Sequence, residues 1–402
     1  MPTQRFVYGN RSRMEYDISE ARREEYRRSS EESREARRLA LEGKGPIPIH
    51  PVNHPNLDPN SLMPIIDRHH LRSLSLFSGG GGLDLAFDRA GFLHVASFDI
   101  IPICGSTITL NRPEWEVCSG PAYGDVRKVD WSSYSGKIDV IHGGPPCQPF
   151  SIAGQQKGKL DDRNMWSEFI RAIHGINPIC FVGENVTGIL DSKFSQFVES
   201  EILFPLRHYH IHMFELSAPD FGVPQARTRV FFVGFANKDH YNRFKKPTPT
   251  HRWKNIKVNR AECCNQLDLF EDDNDILPET MGVRKALGLP NIGFDGLAPT
   301  LRSGFTGKRN TTSVLNSKAS EKAWEELGIW GSGVQANREA AHRFVANNGT
   351  FRLSVQDCGL IQGFPEEWAF SGAVYQIIGQ IGNSVAPPVG YAIARAVVAS
   401  IL

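Results

Sequence analysis

The stretch "LSLFSGGGGLDLAF", residues 74–87, joins a short apolar run to a segment with helical spacing through four consecutive glycines, Gly79 to Gly82. Glycines between a strand and a helix let a ligand approach the backbone closely, because no side chain stands in the way. The dinucleotide fingerprint G-x-G-x-x-G would require glycine at position 84, where this chain has Asp84. A carboxylate there repels a pyrophosphate and suits a cationic or hydroxyl-rich ligand.

Outward from the loop, "FLHVASFDI", "KIDVIHGG", "PICFVGENV", "YHIHMFELS" and "RVFFVGF" read as short apolar strands. Helical patterns such as "LDLAFDRAG" and "WSEFIRAIHGI" separate the earlier ones. Strands buried on both faces and alternating with helices predict an α/β fold around a Rossmann-like, mostly parallel, doubly wound sheet. Before it, residues 17–41 mix Arg and Glu at i,i+3 and i,i+4 spacing, as a solvated helix does, and a Pro-rich connector, "GPIPIHPVNHPNLDP", puts a boundary near residue 70. The expected organisation is a charged N-terminal extension at 1–70, a catalytic domain at 71–236, a smaller inserted domain at 237–350, and a segment at 351–402 that returns to the catalytic domain.

With 402 residues, 40% hydrophobic and 22% charged, the chain reads as globular. Its apolar runs fall short of a membrane span, and its first residues lack the apolar core of a secretory signal. Seven scattered cysteines, including the adjacent Cys263 and Cys264, show no metal-ligand spacing, so no metal is expected. A net charge of +1 neither favours nor excludes nucleic acid, and any basic surface must be local.

Candidate chemistry gathers at strand ends. Asp99 closes the strand after the glycine loop and can bind ribose hydroxyls, while Asp125 in "GDVRKV" can accept from an adenine amino group. Together they indicate a nucleoside cofactor without a diphosphate, which S-adenosylmethionine fits. In "GGPPCQPFS", residues 143–151, two glycines and two prolines hold Cys147 in a rigid turn after a strand. Glu184 follows another strand, and Arg227 and Arg229 share one face of an extended segment. A thiolate adding to carbon 6 of cytosine, with an acid at ring nitrogen 3 and an arginine at O2, would make carbon 5 nucleophilic enough to accept a methyl group.

The ordered motifs "LFSGGGGLD", "FDIIP", "GDV", "GGPPCQPFS", "DDRNMW", "GENV", "APDFGVPQARTRVFFVGF", "RLSVQDCGLIQGFP" and "QIGNSVAPPVG" resemble the DNA (cytosine-5)-methyltransferases of prokaryotic restriction-modification systems. The resemblance covers residues 72–236 and 350–396. It implies a methyltransferase sheet that binds S-adenosylmethionine, with Cys147 as nucleophile, Glu184 as acid, and Arg227 and Arg229 as clamps on the base and the intermediate. It implies a cofactor site of Phe77, Gly79, Gly81, Gly82, Asp99, Ile100, Asp125, Val126, Pro145, Asn383 and Ser384. The loop at 151–164 resembles a lid over a flipped base, and residues 237–350 take the place of a target-recognition domain. There Thr300, Leu301, Arg302, Lys308 and Arg309 would meet double-stranded DNA, as would Gln148 and Ser151. A monomer is expected, because one enzyme can visit each strand in turn, in a reducing bacterial cytoplasm that suits the scattered cysteines, associated with the nucleoid, without a membrane partner and with a cognate restriction endonuclease as genetic partner. A tRNA cytosine-5 methyltransferase and a non-catalytic DNA-binding protein on the same scaffold are the alternatives. Departures from the family pattern are Asp99 for the usual Glu, Trp166 where Leu is common, "IGQIGN" without an aromatic and basic pair, and Gln356–Asp357 for the usual Arg-Glu.

Overall fold

Strand β1 (Arg72–Leu76) turns Leu74 and Leu76 into one core and buries Ser73 and Ser75 on its other face. The computed structural model describes residues 20–44, 51–146, 165–253, 277–302, 312–343 and 350–402. Cys147, Gln148, Ser151, Lys308, Arg309, the loop 151–164, and Cys263 with Cys264 lie outside the described residues.

After β1 come β2 (Leu93–Asp99), β3 (Glu116–Ser119), β4 (Val140–Gly143), β5 (Cys180–Val186), β6 (His210–Ser217), β7 (Gln225–Ala226), β8 (Thr228–Phe235), β9 (Ala298–Pro299), β10 (Ile329–Gln335) and β11 (Phe351–Ser354). Seven of them form one sheet in the order β3-β2-β1-β4-β5-β8-β6. All run parallel except β8, which is antiparallel to both of its neighbours. The expected mostly parallel α/β sheet is therefore present. The chain moves from β1 outward to β3 and then returns past β1 to β4, so the connections from β1 and β4 diverge at their carboxyl ends and open a crevice there.

Two cores cover the sheet. On one face the helices Gly82–Arg89 and Pro387–Ile401 bury Leu83, Phe87, Val389 and Ile393 against Val140 and Val182. On the other, helix Trp166–Ile176 buries Trp166, Phe169, Ile170, Ala172, Ile173 and Ile176, a stripe at helical spacing. Asn177 ends that helix in the left-handed region at φ 54°, a conformation asparagine tolerates. Trp166 meets Phe232 and Phe169 edge-on at 5.1 and 5.8 Å and fills the space over Gly183, where a Cβ would come within 2.9 Å of the indole. The larger residue is thus accommodated by the glycine beneath it.

A third core joins Val283, Leu301, Trp324 and Ile329 to Leu353, Leu360 and Ile378. Strand β11 pairs in parallel with β10, joining residues on either side of position 350. Only the last helix, Pro387–Ile401, returns fully to the first core, where Gly390 lies so close to Ala86 that a Cβ would approach to 2.9 Å. The stretch Val374–Ile401 is long and apolar enough to cross a membrane, but its apolar part is mostly buried inside the protein. It consists of helix Val374–Asn383 and helix Pro387–Ile401, the second begun by two prolines at its first positions.

Residues ahead of position 70 also pack against the body. Asn53 donates to Leu287 O at 3.1 Å and to Asp357 Oδ1 at 3.0 Å, Leu57 enters the third core and Met63 the first. Residues 51–70 are a strap tying two cores together. The charged segment ahead of them is helical over Glu20–Leu41, with Arg38 bonded to Glu35 at 3.0 Å and to Glu42 at 2.9 Å. The Gln356–Asp357 departure has its own structural answer. Asp357, fully buried, caps its helix with Ser354 and receives Arg338 Nε at 2.9 Å, so the cation comes from another element.

Candidate active site

The glycine loop is shaped by what packs behind it as much as by what it faces. Phe77 takes φ 57°, uncommon for a residue with a side chain. A Cβ on Gly82 would sit 2.2 Å from Val385 O, and one on Gly80 would sit 2.8 Å from Ser384 Oγ. Gly81, expected in the cofactor site, faces Trp368 instead, since a Cβ there would lie 2.6 Å from the indole ring. The indole Nε1 donates to Gly80 O at 3.0 Å, holding the loop from outside.

Asp99, at the end of β2, accepts the backbone N–H of Gly79 on Oδ2 and that of Ile101 on Oδ1, both at 2.8 Å. Burial pushes its carboxyl up to about 6, against the pull of those two donors. Gly124 crosses so near that a Cβ would meet Asp99 O at 2.0 Å. Asp125 follows and is gripped by Arg127 through Nε and Nη2, each at 2.8 Å, which holds its carboxyl below the ordinary value.

From β4, Gly143 and Gly144 lead into Pro145 and Pro146. A Cβ on Gly143 would clash with Leu76 O at 2.4 Å, and one on Gly144 would touch Glu184 Oε2 at 2.8 Å. Asn185, fully buried, donates to Pro145 O at 3.2 Å and holds that carbonyl in place. Glu184 stands at the carboxyl end of β5, 8% exposed, with Arg229 Nε 3.0 Å from its Oε1. Burial raises its carboxyl, while Arg229 and then Arg227 draw it down.

These groups share one cavity of about 430 Å³. Phe77, Gly79 and Gly82 line it from the first loop, Asp99 and Ile100 from the second, and Asp125 and Val126 from the third. Pro145, Glu184 and Arg229 line the other side, with Asn383 and Ser384 from the C-terminal segment.

Arg227 is not among the lining residues, and period-two geometry does not unite it with Arg229. It precedes β8, is 3% exposed, and donates to Gly382 O at 3.1 Å and Ser384 O at 2.8 Å. Its guanidinium therefore braces the segment that carries Asn383 and Ser384. Leu301, expected at DNA, is 1% exposed in the third core. Thr300 is half-buried and donates to Ala226 O, beside the pairing of β7 with β9. Arg302 is half-buried, with its N–H on Val314 O at 3.0 Å.

The profile of the C-5 cytosine-specific DNA methylases matches residues 71–399. The chain belongs to that family. It is a DNA cytosine-5 methyltransferase. The Type II methyltransferase M.NgoMIV of Neisseria gonorrhoeae is 34% identical over 330 residues, covering 81% of this chain and 96% of that protein. The Type II methyltransferase M.NgoPII of the same organism is 31% identical, covering 81% and 95%, and M.Eco47II of Escherichia coli is 31% identical, covering 81% and 78%. Among solved structures, an E. coli prophage-encoded protein described as a DNA modification methyltransferase superimposes with a TM-score of 0.51 at 22% identity, covering 81% of this chain and 98% of that one. That likeness carries the fold alone.

Sequence reasoning missed several parts of this methyltransferase's site. Arg127, two positions past Asp125, was open to a charge-pair reading. The buried glutamines were not: Gln225 receives Leu301 N–H at 3.4 Å and donates to Gln362 at 2.9 Å, and Gln362 donates to Ser384 O at 2.6 Å. Asp84 was read as a missing glycine and as a carboxylate suited to a cationic or hydroxyl-rich ligand, but its burial was not foreseen; it is 1% exposed and lines the cavity. Among the described residues no group of His, Cys, Asp or Glu could hold a metal ion.

Proposed function

We propose that this cytosine-5 methyltransferase uses S-adenosylmethionine in the 430 Å³ cavity and modifies a cytosine swung out of double-stranded DNA through a covalent adduct on Cys147. The observation that carries the reading is the Glu184–Arg229 pair, which opens onto the same cavity as Asp99 and Asp125. The donor set fits the cofactor. Asp99 keeps unused lone pairs for ribose hydroxyls, Asp125 lines the same cavity and could accept an adenine amino group, and Gly79, Gly82, Gly124 and Gly144 line it without side chains. The cofactor supplies a sulfonium methyl, an electrophile that cytosine carbon 5 cannot attack unaided.

Glu184 would give a proton to ring nitrogen 3 while the Cys147 thiolate adds at carbon 6, and both changes push electron density to carbon 5. Arg229 would hold O2 of the base and charge developing there. Once carbon 5 is methylated, loss of its proton and departure of the thiolate restore the ring. Gly143 to Pro146, held by Asn185, would give Cys147 a stiff support from which to meet one ring face. Arg227 would act at one remove, by positioning the carbonyls beside Asn383 and Ser384.

Residues 237–350 would read the target sequence, with Arg302, Lys308, Arg309, Gln148 and Ser151 toward DNA. The protein would act as a monomer on cytoplasmic, nucleoid DNA, with a restriction endonuclease as its genetic partner. Transfer of labelled methyl from S-adenosylmethionine to unmethylated genomic DNA tests the reading, followed by bisulfite sequencing to find the site. Cys147→Ser is expected to abolish transfer and leave cofactor binding intact; label on tRNA, or full transfer by the variant, would refute it.

A further inference from the structure

Four carboxylates line the cavity, and they differ in how their charge is met. Asp125 has Arg127, Glu184 has Arg229, and Asp99 has a backbone N–H on each oxygen. Asp84 is 1% exposed, and no cation pairs with it among the described residues. Ser97 Oγ donates to its Oδ1 at 2.7 Å. The hydroxyls of Ser75 and Ser78 face the carboxylate but are engaged with each other at 2.8 Å, and Oδ2 receives no donor at hydrogen-bond geometry.

The titratable neighbours do not supply the missing charge. His94, bonded to the same Ser97 Oγ at 2.9 Å, is pushed down to about 4 by burial. His142, paired in register with Ser75 and fully buried, is driven well below its ordinary value, and neither ring nitrogen has a partner. Both imidazoles are neutral at pH 7. Burial pushes Asp84 itself up to about 6, so at neutral pH it is an anion held by hydroxyl dipoles and by the first turn of helix Gly82–Arg89. A buried anion so poorly compensated favours any cation that enters the adjoining space.

We propose that Asp84 makes this pocket select a cationic methyl donor over the neutral thioether left after transfer. The proposal rests on the S-adenosylmethionine reading above. Transfer moves the methyl from a sulfonium to carbon 5, the carbon 5 proton leaves, and the cofactor loses one positive charge. The pocket therefore holds the donor by an attraction that vanishes at the chemical step, and the spent cofactor is released more easily.

The test is calorimetric binding of S-adenosylmethionine, S-adenosylhomocysteine and sinefungin, whose amine replaces the sulfonium methyl, to the full chain at pH 7.5. The wild type is expected to bind the two cationic ligands several-fold more tightly than S-adenosylhomocysteine. Asp84→Asn is expected to weaken both cations by about tenfold, as loss of one screened charge would, and to leave the thioether within about twofold. Asp84→Ser, smaller and also uncharged, is expected to behave alike. Equal losses for all three ligands would make Asp84 a loop support only and overturn the proposal. A wild type without cation preference overturns it whatever the variants do. A wild type that binds none of the three overturns the cofactor reading, and this proposal with it.

Discussion

Arg229 Nε lies 3.0 Å from Glu184 Oε1, and the two face each other across the antiparallel pair β5–β8, where Arg229 is in register with Val186. The pair joins the proposed acid and the proposed O2 ligand before any base has entered. A cytosine would be met by groups already set at the right separation, so little reorganisation accompanies capture.

Replacing the acid should separate chemistry from binding. Glu184→Gln is expected to lower kcat by about 10²–10⁴-fold, the usual worth of a positioned general acid, with the cofactor Kd within a few-fold of wild type. Single-turnover methyl transfer with calorimetric cofactor binding reads both quantities, and a pure affinity defect would contradict the assignment.

The two arginines should fail differently. Arg227→Ala takes a donor from Gly382 O and leaves Ser384 O with Gln362 alone, a cost of about 1–3 kcal/mol. It is expected to raise the cofactor Kd and lower the unfolding midpoint. Arg229→Ala is expected to reduce kcat at saturating cofactor. Identical kinetic profiles for the two variants would restore the shared clamp that sequence periodicity suggested.

Trp166 is buried between Phe169, Phe232 and the bare backbone of Gly183. Trp166→Ala should destabilise the free protein by about 3–5 kcal/mol in urea unfolding, as cavity formation on this scale does. Trp166→Leu should recover part of that loss. A silent Trp166→Ala variant would mean that this face of the sheet collapses freely.

Stability of the free protein should respond to pH through its buried acids. Burial raises Asp84 and Asp99 from 3.8 to about 6, so the folded chain holds these protons more tightly than the unfolded chain. Their contribution is fully present below the unfolded value and is lost as pH rises through about 6. Asp84→Asn should therefore gain stability relative to wild type between pH 4.5 and 7.5, by on the order of 2 kcal/mol. Denaturant curves across that range measure it; parallel curves for the two proteins would contradict the sign.

The sheet was legible because its strands announce themselves as apolar runs, and the site was partly legible because Asp99 and Glu184 end two of those runs. Contacts between distant segments leave no such local mark. Arg227 and Arg229 look equivalent by spacing, yet β8 begins at Thr228, and Gly382 and Ser384, more than 150 positions onward, claim the first arginine. Leu301 sits in a polar-looking stretch, and only its place in the third core makes it a packing residue. Gly81 reads as ligand clearance until Trp368 is found against it. The strap at residues 51–70 was read as a linker because prolines forbid helix, although an extended segment can bury Leu57 and Met63 without one.

The most direct test is mass spectrometry of the complex formed with S-adenosylmethionine and a duplex bearing 5-fluorocytosine at the cytosine identified by bisulfite sequencing. Fluorine blocks the loss of the carbon 5 substituent, so the adduct cannot resolve. The account predicts a stable complex in which the peptide containing Cys147 carries the modified base, with the new methyl on carbon 5. An enzyme that methylates normal DNA but yields no Cys147 adduct, or places the methyl on the exocyclic nitrogen, would contradict it.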